Sequence, residues 1–180
     1  MKKIFQSFFN PRKSDGKKKD ADIDYKYLPK KDEYVENKFT KKFSSNGGKF
    51  LYVIDLSECE EFLNKILNEN SWNEKSTLCF NNELKKQFFP NIDIKLNKTN
   101  INSNLFITDC EFLVANDGSI LVSAKQIKSY KSNDLPNNII VIAKTSQLSE
   151  TLSKGLEGIR IKYSNNLPSN ITSIKNFNKG

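Results

Sequence analysis

The sequence contains no histidine among its 180 residues. This absence excludes Ser–His and Cys–His nucleophile pairs, histidine general bases and histidine metal ligands. Only three cysteines occur, Cys59, Cys79 and Cys110, at wide spacings and without a Cys-x-x-Cys pair. We therefore expect free thiols in a reducing compartment, no metal site and no bound cofactor. An iron–sulfur cluster normally takes four cysteine ligands, which this chain does not have.

Long apolar runs are also missing. The mean hydropathy is −0.61, and no stretch approaches the roughly 20 apolar residues that a membrane span needs. The apolar residues near the N-terminus are interrupted by Gln6 and Ser7 and end at Pro11, so they are too few for a signal peptide. These features predict a cytoplasmic protein without a membrane span.

Positive charge is concentrated at the N-terminus. The net charge is +8, but residues 1–42 hold 13 Lys/Arg against 7 Asp/Glu, whereas residues 43–180 hold 16 against 14. Residues 1–38 have sparse, unpatterned apolar residues, which predicts a basic, disordered arm before a domain at residues 39–180. The arm could bind nucleic acid or another acidic surface. Nucleic acid is the less favoured partner, because only Arg12 and Arg160 are arginines and base recognition favours arginine.

Strand and helix patterns alternate beyond the arm. Apolar runs predict strands at residues 49–54, 77–80 and 92–96, and helical periodicity predicts helices at 57–69 and 81–89. This alternation is typical of an α/β fold with a mostly parallel sheet and flanking helices. In the second half, Asp117-Gly118 between two apolar runs predicts a hairpin. A strand at 139–143 should lead into a helix that has Leu148 and Leu152 on its apolar face and ends at Gly155 or Gly158.

Several polar segments are candidates for a ligand site. The turn at residues 116–119 could bring an amide, a carboxylate and a hydroxyl to a cleft, although tight turns favour the same residues for structural reasons alone. Residues 144–147 follow a buried strand and could bind an anion through free N–H groups or merely cap a helix. Residues 167–172 could line a cleft or introduce a strand. The candidate ligand-binding residues are Asn116, Asp117, Gly118, Ser119, Lys125, Ser146, Gln147, Ser169 and Asn170.

Recognisable catalytic motifs are absent from the sequence. It has no Gly-x-Gly-x-x-Gly, no Walker loop and no Gly-x-Ser-x-Gly elbow. No nucleophile–base pair can be identified, so the catalytic residues remain unknown.

The order of segments in the second half resembles the LUD domain family, the domain of lactate-utilisation protein C. The resemblance extends over about residues 39–180 and begins at Gly47-Gly48-Lys49-Phe50-Leu51-Tyr52. The segments that carry it are Ile107-Thr108-Asp109-Cys110-Glu111, Leu113 to Val122, Leu135-Pro136, Ile139-Ile140-Val141-Ile142 and Ser146-Gln147-Leu148.

The resemblance implies a Rossmann-like α/β fold similar to the ribose-phosphate isomerase and CoA-transferase group. It also implies a role in lactate utilisation, with iron–sulfur lactate-oxidation subunits as possible partners and a small anion as a possible ligand. Since this chain lacks cluster-binding cysteines, it would be a non-redox accessory or ligand-binding component.

The chain departs from the family pattern in its last motif, where members often carry Gly-Pro-Ser-Arg-Thr. Leu167, Asn170 and Ile171 replace the glycine, arginine and threonine. An anion contact made by the family's arginine would be lost here.

Two other functions remain open. One is an enzyme acting on a sugar phosphate or an acyl-CoA, with Asp117, Lys125 and Ser169 as candidate acid/base or anion-binding residues. The other is a binder of nucleic acid or acidic surfaces through residues 1–42.

Overall fold

A computed structural model describes residues 33–92, 94–97 and 101–177. Most of the arm predicted at residues 1–38 lies outside this part. Glu33–Gly180 forms one compact unit, and its first helix begins at Val35. Phe39 on this helix is buried.

The first half of the described chain alternates helices and strands. Its elements are α1 (Val35–Ser45), α2 (Leu56–Glu69), β1 (Ser76–Leu78), α3 (Asn82–Phe88), β2 (Lys95–Asn97) and β3 (Leu105–Thr108). Asp55 caps α2 by accepting a hydrogen bond from the Glu58 amide, and Asn81 caps α3 in the same way. Both helices lie where the apolar periodicity predicts them.

The second half is richer in strands. It contains β4 (Phe112–Val114), β5 (Ser119–Val122), α4 (Ala124–Ile127), β6 (Asn138–Val141), β7 (Leu148–Ser149), α5 (Leu152–Tyr163) and β8 (Thr172–Ile174). Short 3-10 turns occupy Phe89–Asn91, Ser132–Asp134 and Thr145–Gln147.

The described strands form two four-stranded sheets. The first has the order β2-β1-β3-β6 and is parallel throughout. The second has the order β7-β4-β5-β8, in which β5 is antiparallel to both neighbours and β7 is parallel to β4. The Rossmann-like, mostly parallel α/β fold predicted from the sequence is confirmed, and so is the hairpin at Asp117-Gly118.

The core is layered around these sheets. Phe106 on β3 packs with Leu113 and Ile120 of the second sheet, so one apolar cluster lies between the two sheets. On the other face of the parallel sheet, β3 packs against apolar residues of α2 and α3. On the far face of the second sheet, Ile159 of α5 packs on Leu121. Helices therefore flank the structure on both sides.

Two local predictions were wrong. Residues 49–54 form no strand, and Leu51 and Tyr52 are exposed. Leu148 belongs to β7 rather than to a helix, and the helix begins later, at Leu152, with Thr151 as its cap. A segment forms a strand only where a partner strand lies beside it, and an apolar run alone does not show whether it does. Leu148 has such a partner, whereas the predicted first strand has none in the described structure.

Glycines 155 and 158 lie inside α5 rather than at its end. A Cβ on Gly155 would come within 2.9 Å of Leu121 Cδ1, and one on Gly158 within 2.3 Å of Phe112 Cζ. These residues therefore allow α5 to pack closely on the second sheet. The sequence predicts that one of these glycines ends the helix, but in the structure they serve close packing.

None of the described helices has the length and apolar character that a membrane crossing requires.

Candidate functional site

Polar residues gather at the carboxyl edge of the parallel sheet. The strand order places β1 beside β3, and the chain leaves β1 toward β2 on one side and β3 toward β6 on the other. In open α/β sheets, ligands bind in the crevice outside the carboxyl ends of the strands where the direction reverses in this way. Phe80 and Asn81 follow β1 at this position, and Asp109 and Glu111 follow β3.

Asp109 presents a carboxylate oxygen with an unused hydrogen-bonding capacity. Its Oδ2 accepts a hydrogen bond from Gln126 Nε2 at 3.3 Å. Its Oδ1 is buried and has no hydrogen-bond partner among the described residues. A buried acceptor left without a donor costs about 1–3 kcal/mol. A donor that reached Oδ1 would recover this free energy, which marks Asp109 as a ligand-binding candidate.

Glu111 is the centre of a buried polar network. Its side chain has no solvent-exposed surface, and three side chains from two other parts of the chain donate to it. Ser123 Oγ lies 2.8 Å from Oε1, Lys162 Nζ lies 2.9 Å from Oε2, and the Tyr163 hydroxyl lies 3.1 and 3.0 Å from the two oxygens. The network joins the base of the β4–β5 hairpin to the end of α5.

The charge of Glu111 is maintained despite its burial. Burial raises the pKa of the carboxyl, but the hydrogen bonds from Lys162, Ser123 and Tyr163 outweigh this effect and leave the pKa below its usual range. Burial lowers the pKa of Lys162, yet the bond to Glu111 and the neighbouring Tyr163 raise it above its usual value overall. The two groups therefore form an ion pair at neutral pH.

Lys125 lies against the same tyrosine. Its Nζ is 3.9 Å from the centroid of the Tyr163 ring, and Lys162 Nζ is 4.9 Å from it. Lys162 is paired with Glu111, whereas Lys125 forms no ion pair with an acidic residue in the described ranges. Lys125 is exposed, so its ammonium is available to an anion.

Strained backbone adjoins this site. Lys128 and Asn170 have positive φ angles of 55° and 53°, which cost of the order of 1–3 kcal/mol each and often occur at ligand sites. Asn170 Nδ2 donates to the carbonyls of Lys128 and Tyr130, both at 3.0 Å. The amide of Asn170 thus holds the 128–130 turn in place and has its donors occupied.

Aromatic side chains line the crevice beside this turn. The rings of Phe80 and Tyr130 are nearly parallel, with centroids 5.9 Å apart and an interplanar angle of 10°. Lys128 Nζ lies 5.8 Å from the Phe80 centroid. We call the exposed part of the site, with Phe80, Tyr130, Lys125 and Lys128, its mouth. The mouth is therefore partly apolar and positively charged.

The hairpin turn with four of the predicted site residues lies elsewhere. Asp117 Oδ1 accepts hydrogen bonds from the amide and the hydroxyl of Ser119, and Asn46 Nδ2 donates to the Asp117 carbonyl. Gly118 has a φ of 68°, and a Cβ there would come within 2.4 Å of the α1 backbone. Asn116 is exposed in the same turn. The turn thus packs against α1.

The residues of this turn lie at one end of β5, and Lys125 lies beyond the other end. Ser119 and Ser123 are four residues apart along an extended strand, or roughly 13 Å. The structure therefore does not bring Asp117 together with Lys125.

The other predicted residues lie near the carboxyl edge in different roles. Gln147 Nε2 donates to the carbonyls of Cys110 and Glu111, and its Oε1 accepts from the Lys144 amide. Ser146 is exposed in the adjacent 3-10 turn. The Ser169 carbonyl accepts a hydrogen bond from the Ala124 amide at 2.8 Å. Gln147 thus connects the 3-10 turn to residues 110–111, and Ser169 holds the start of α4 next to Lys125.

Sequence reasoning missed the residues at the centre of the site as functional candidates. They are Asp109, Glu111, Gln126, Lys162 and Tyr163. A signal for two of them was present, because Asp109 and Glu111 directly follow a fully buried strand and must lie at its carboxyl end. The partners of Glu111 lie up to 52 residues away in sequence, and no local pattern indicates them.

The cysteines do not add chemistry to this site. Burial raises the pKa of the Cys79 and Cys110 thiols, so neither is a ready nucleophile at neutral pH. Within the described ranges, no group of His, Cys, Asp or Glu side chains is arranged to hold a metal ion.

These features define an α/β protein with a Rossmann-like parallel sheet and a polar site at its carboxyl edge. The sequence model of the LUD domain matches residues 36–180, and the chain belongs to the LUD domain family. A crystal structure of a DUF162 family protein from Deinococcus radiodurans is similar in fold, with a TM-score of 0.60 and 14% sequence identity over 78% of this chain and 85% of that chain. None of the curated proteins compared with the chain matches it.

Proposed function

We propose that this chain is a non-redox, ligand-binding component linked to lactate utilisation, and that it binds a small hydroxylated anion at the carboxyl edge of the parallel sheet. The link to lactate utilisation rests on membership of the LUD domain family. Iron–sulfur subunits of lactate oxidation are the partners that we propose for it, since its own three cysteines do not suffice for a cluster.

The observation that carries the ligand proposal is the buried Asp109 Oδ1, which has no hydrogen-bond partner among the described residues. Asp109 can accept a hydrogen bond from a hydroxyl group, and Gln126, which contacts Asp109, directly follows Lys125 in the chain. Lys125 can bind a carboxylate. A 2-hydroxy acid such as lactate carries both groups, and buried polar groups of this kind discriminate strongly between ligands with and without a hydroxyl.

Calorimetry and thermal unfolding of the full chain with L-lactate, pyruvate and propionate test this proposal. At a ligand concentration 100 times the dissociation constant, binding should add about 2.7 kcal/mol of stability. We expect lactate to bind more tightly than propionate, which lacks the hydroxyl, and expect Asp109→Ala to abolish this preference. Equal binding of lactate and propionate would exclude Asp109 as the hydroxyl acceptor.

Matched lysine variants test the anion contact. Lys125→Met should weaken lactate binding, whereas Lys86→Met should not, because Lys86 lies on α3 with 77% of its side chain exposed. If no hydroxy acid binds to the folded protein, the ligand proposal fails and an assembly role remains.

The enzyme hypothesis receives less support from the geometry. Its three candidate acid/base or anion-binding residues are not all together: Asp117 and Lys125 lie at opposite ends of β5, whereas the Ser169 carbonyl bonds the amide of Ala124, next to Lys125. Lysines at the mouth also suit a phosphate, so sugar phosphates and CoA esters belong in the same binding screen. The residues proposed for nucleic-acid binding lie largely outside the described ranges.

A further inference from the structure

Glu111 has a role that direct ligand contact cannot explain. Its carboxylate has no exposed surface, and both of its oxygens already accept hydrogen bonds from side chains, so it has no free acceptor for a ligand. Among the described residues, the hydrogen bonds to its carboxylate come from Ser123, which caps α4 two residues before Lys125, and from Lys162 and Tyr163 at the end of α5. A group in this position acts through its neighbours.

Tyr163 is the neighbour that connects Glu111 to the mouth. Its hydroxyl donates to the Glu111 carboxylate, with distances of 3.1 and 3.0 Å to the two oxygens, which fixes the orientation of the ring. The same ring attracts the Lys125 ammonium, whose nitrogen lies 3.9 Å from its centroid. Contacts therefore run continuously from the buried carboxylate of Glu111 through the Tyr163 ring to the exposed ammonium of Lys125.

We propose that Glu111 is a positioning residue, which holds Tyr163 and thereby fixes Lys125 to receive the carboxylate of the ligand. The inference rests on the proposed function for the identity of the bound group. A lysine side chain that is free before the ligand binds loses conformational entropy when the ligand orders it. If Lys125 is already held against the Tyr163 ring, part of this cost is avoided. From the usual cost for one such side chain, we expect loss of the positioning to weaken lactate binding about three- to tenfold.

The position of Lys125 can be measured without any ligand. Protons on the lysine Cε lie in the ring current of Tyr163, so their NMR signals in the full-length protein should be shifted upfield. Lys125→Arg assigns the signal in a sample with labelled lysine. Glu111→Met keeps an unbranched side chain of similar length but removes both acceptor oxygens, and should move the signal most of the way to the position of a free lysine. Tyr52→Leu, at an exposed tyrosine outside the site, should leave it unchanged.

A second variant covers the case in which Glu111→Met does not fold. Tyr163→Phe keeps the ring but removes the hydroxyl that bonds Glu111, and should reduce both the upfield shift and the affinity for lactate. If the upfield shift persists in full in whichever variant folds, Glu111 does not position Lys125 and the inference is wrong. If the shift disappears but the wild-type protein does not bind lactate, the positioning holds and the proposed ligand is wrong.

Discussion

The two ends of the β4–β5 hairpin carry similar polar residues in different environments. At the turn, Asp117 is bonded by Ser119, and 34% of its side chain is exposed. At the base, Glu111 is bonded by Ser123 and is fully enclosed, because the end of α5 covers it with Lys162 and Tyr163. The hydrogen bonds to the Asp117 carboxylate come from Ser119, two residues away, and Lys175 lies only at 4.0 Å from it. The Glu111 carboxylate is bonded directly by Lys162 and Tyr163, which are 51 and 52 residues away.

This difference shows how position in the fold determines the role of a carboxylate–serine pair. Asp117 and Ser119 close a tight turn that packs against α1. This role is expected for an aspartate whose side chain bonds the backbone two residues further along the chain. The Glu111 pair lies at the carboxyl edge of the parallel sheet and connects two elements around an exposed lysine. The predictions below test this contrast, in order of decreasing effect.

The largest effect is expected at the turn, from Gly118→Ala. The positive φ angle adds about 1–2 kcal/mol of strain, and overlap of the new Cβ with the α1 backbone, 2.4 Å away, adds about 1–3 kcal/mol. We expect the free energy of unfolding in urea to fall by about 4 kcal/mol. Asn116→Ala, at the exposed neighbour, is the control and should change it by less than about 0.5 kcal/mol. A small effect of Gly118→Ala would mean that the turn is free to move away from α1.

Removal of the buried carboxylate should have the next largest effect. Glu111→Ala leaves the Tyr163 hydroxyl without an acceptor, at about 1–3 kcal/mol when buried, and removes a buried CH2 group, at about 0.8 kcal/mol. Ser123 Oγ keeps Gln126 Oε1 as an acceptor at 3.0 Å, and the half-exposed Lys162 can regain water. We expect a loss of about 3 kcal/mol in urea unfolding. Asp117→Ala at the other end of the hairpin should cost about 1 kcal/mol. Equal losses would contradict the proposed contrast between the two ends.

The stability contributed by Glu111 should depend on pH. Its folded pKa is below the unfolded value of about 4.3, so its contribution is present above that pH and is lost as the pH falls through the folded pKa. The folded pKa of Lys162 is raised, so its contribution is present below about pH 10.4 and is lost as the pH rises through the folded pKa.

The stability difference between wild type and Glu111→Gln measures this dependence. It should be about 1–2 kcal/mol between pH 5 and pH 10, as for hydrogen bonds to a charged group, and should decrease on both sides. A difference that is constant from pH 3 to pH 7 would show that Glu111 is not ionised in the folded protein.

The smallest effect on stability should come from Lys125. Lys125→Met removes a contact with the Tyr163 ring that is worth about 0.5–1 kcal/mol at an exposed site, and the new side chain keeps part of the packing. Urea unfolding should therefore change by at most about 1 kcal/mol. A much larger loss would indicate that Lys125 is part of the fold rather than of a ligand site.

Local signals in the sequence were sufficient for several elements. The apolar periodicity predicted α2 and α3, and Asp117-Gly118 predicted the hairpin, because each pattern reports contacts within a few residues. Asp109 and Glu111 could also have been placed at the carboxyl edge, since they follow the buried strand β3. The absence of histidine excluded whole classes of catalytic site from the outset.

Tertiary structure decided the rest. Leu148 forms part of a strand because β4 lies beside it and pairs with it. Gly155 lies inside α5, where its missing side chain allows the second sheet to approach closely. Glu111 became a buried ion-pair partner only because α5 brings Lys162 and Tyr163 back to it, some 50 residues later. Side-chain patterns record the period of one element, whereas these outcomes depend on which distant elements pack together, and that is set by the burial of apolar surface over the whole chain.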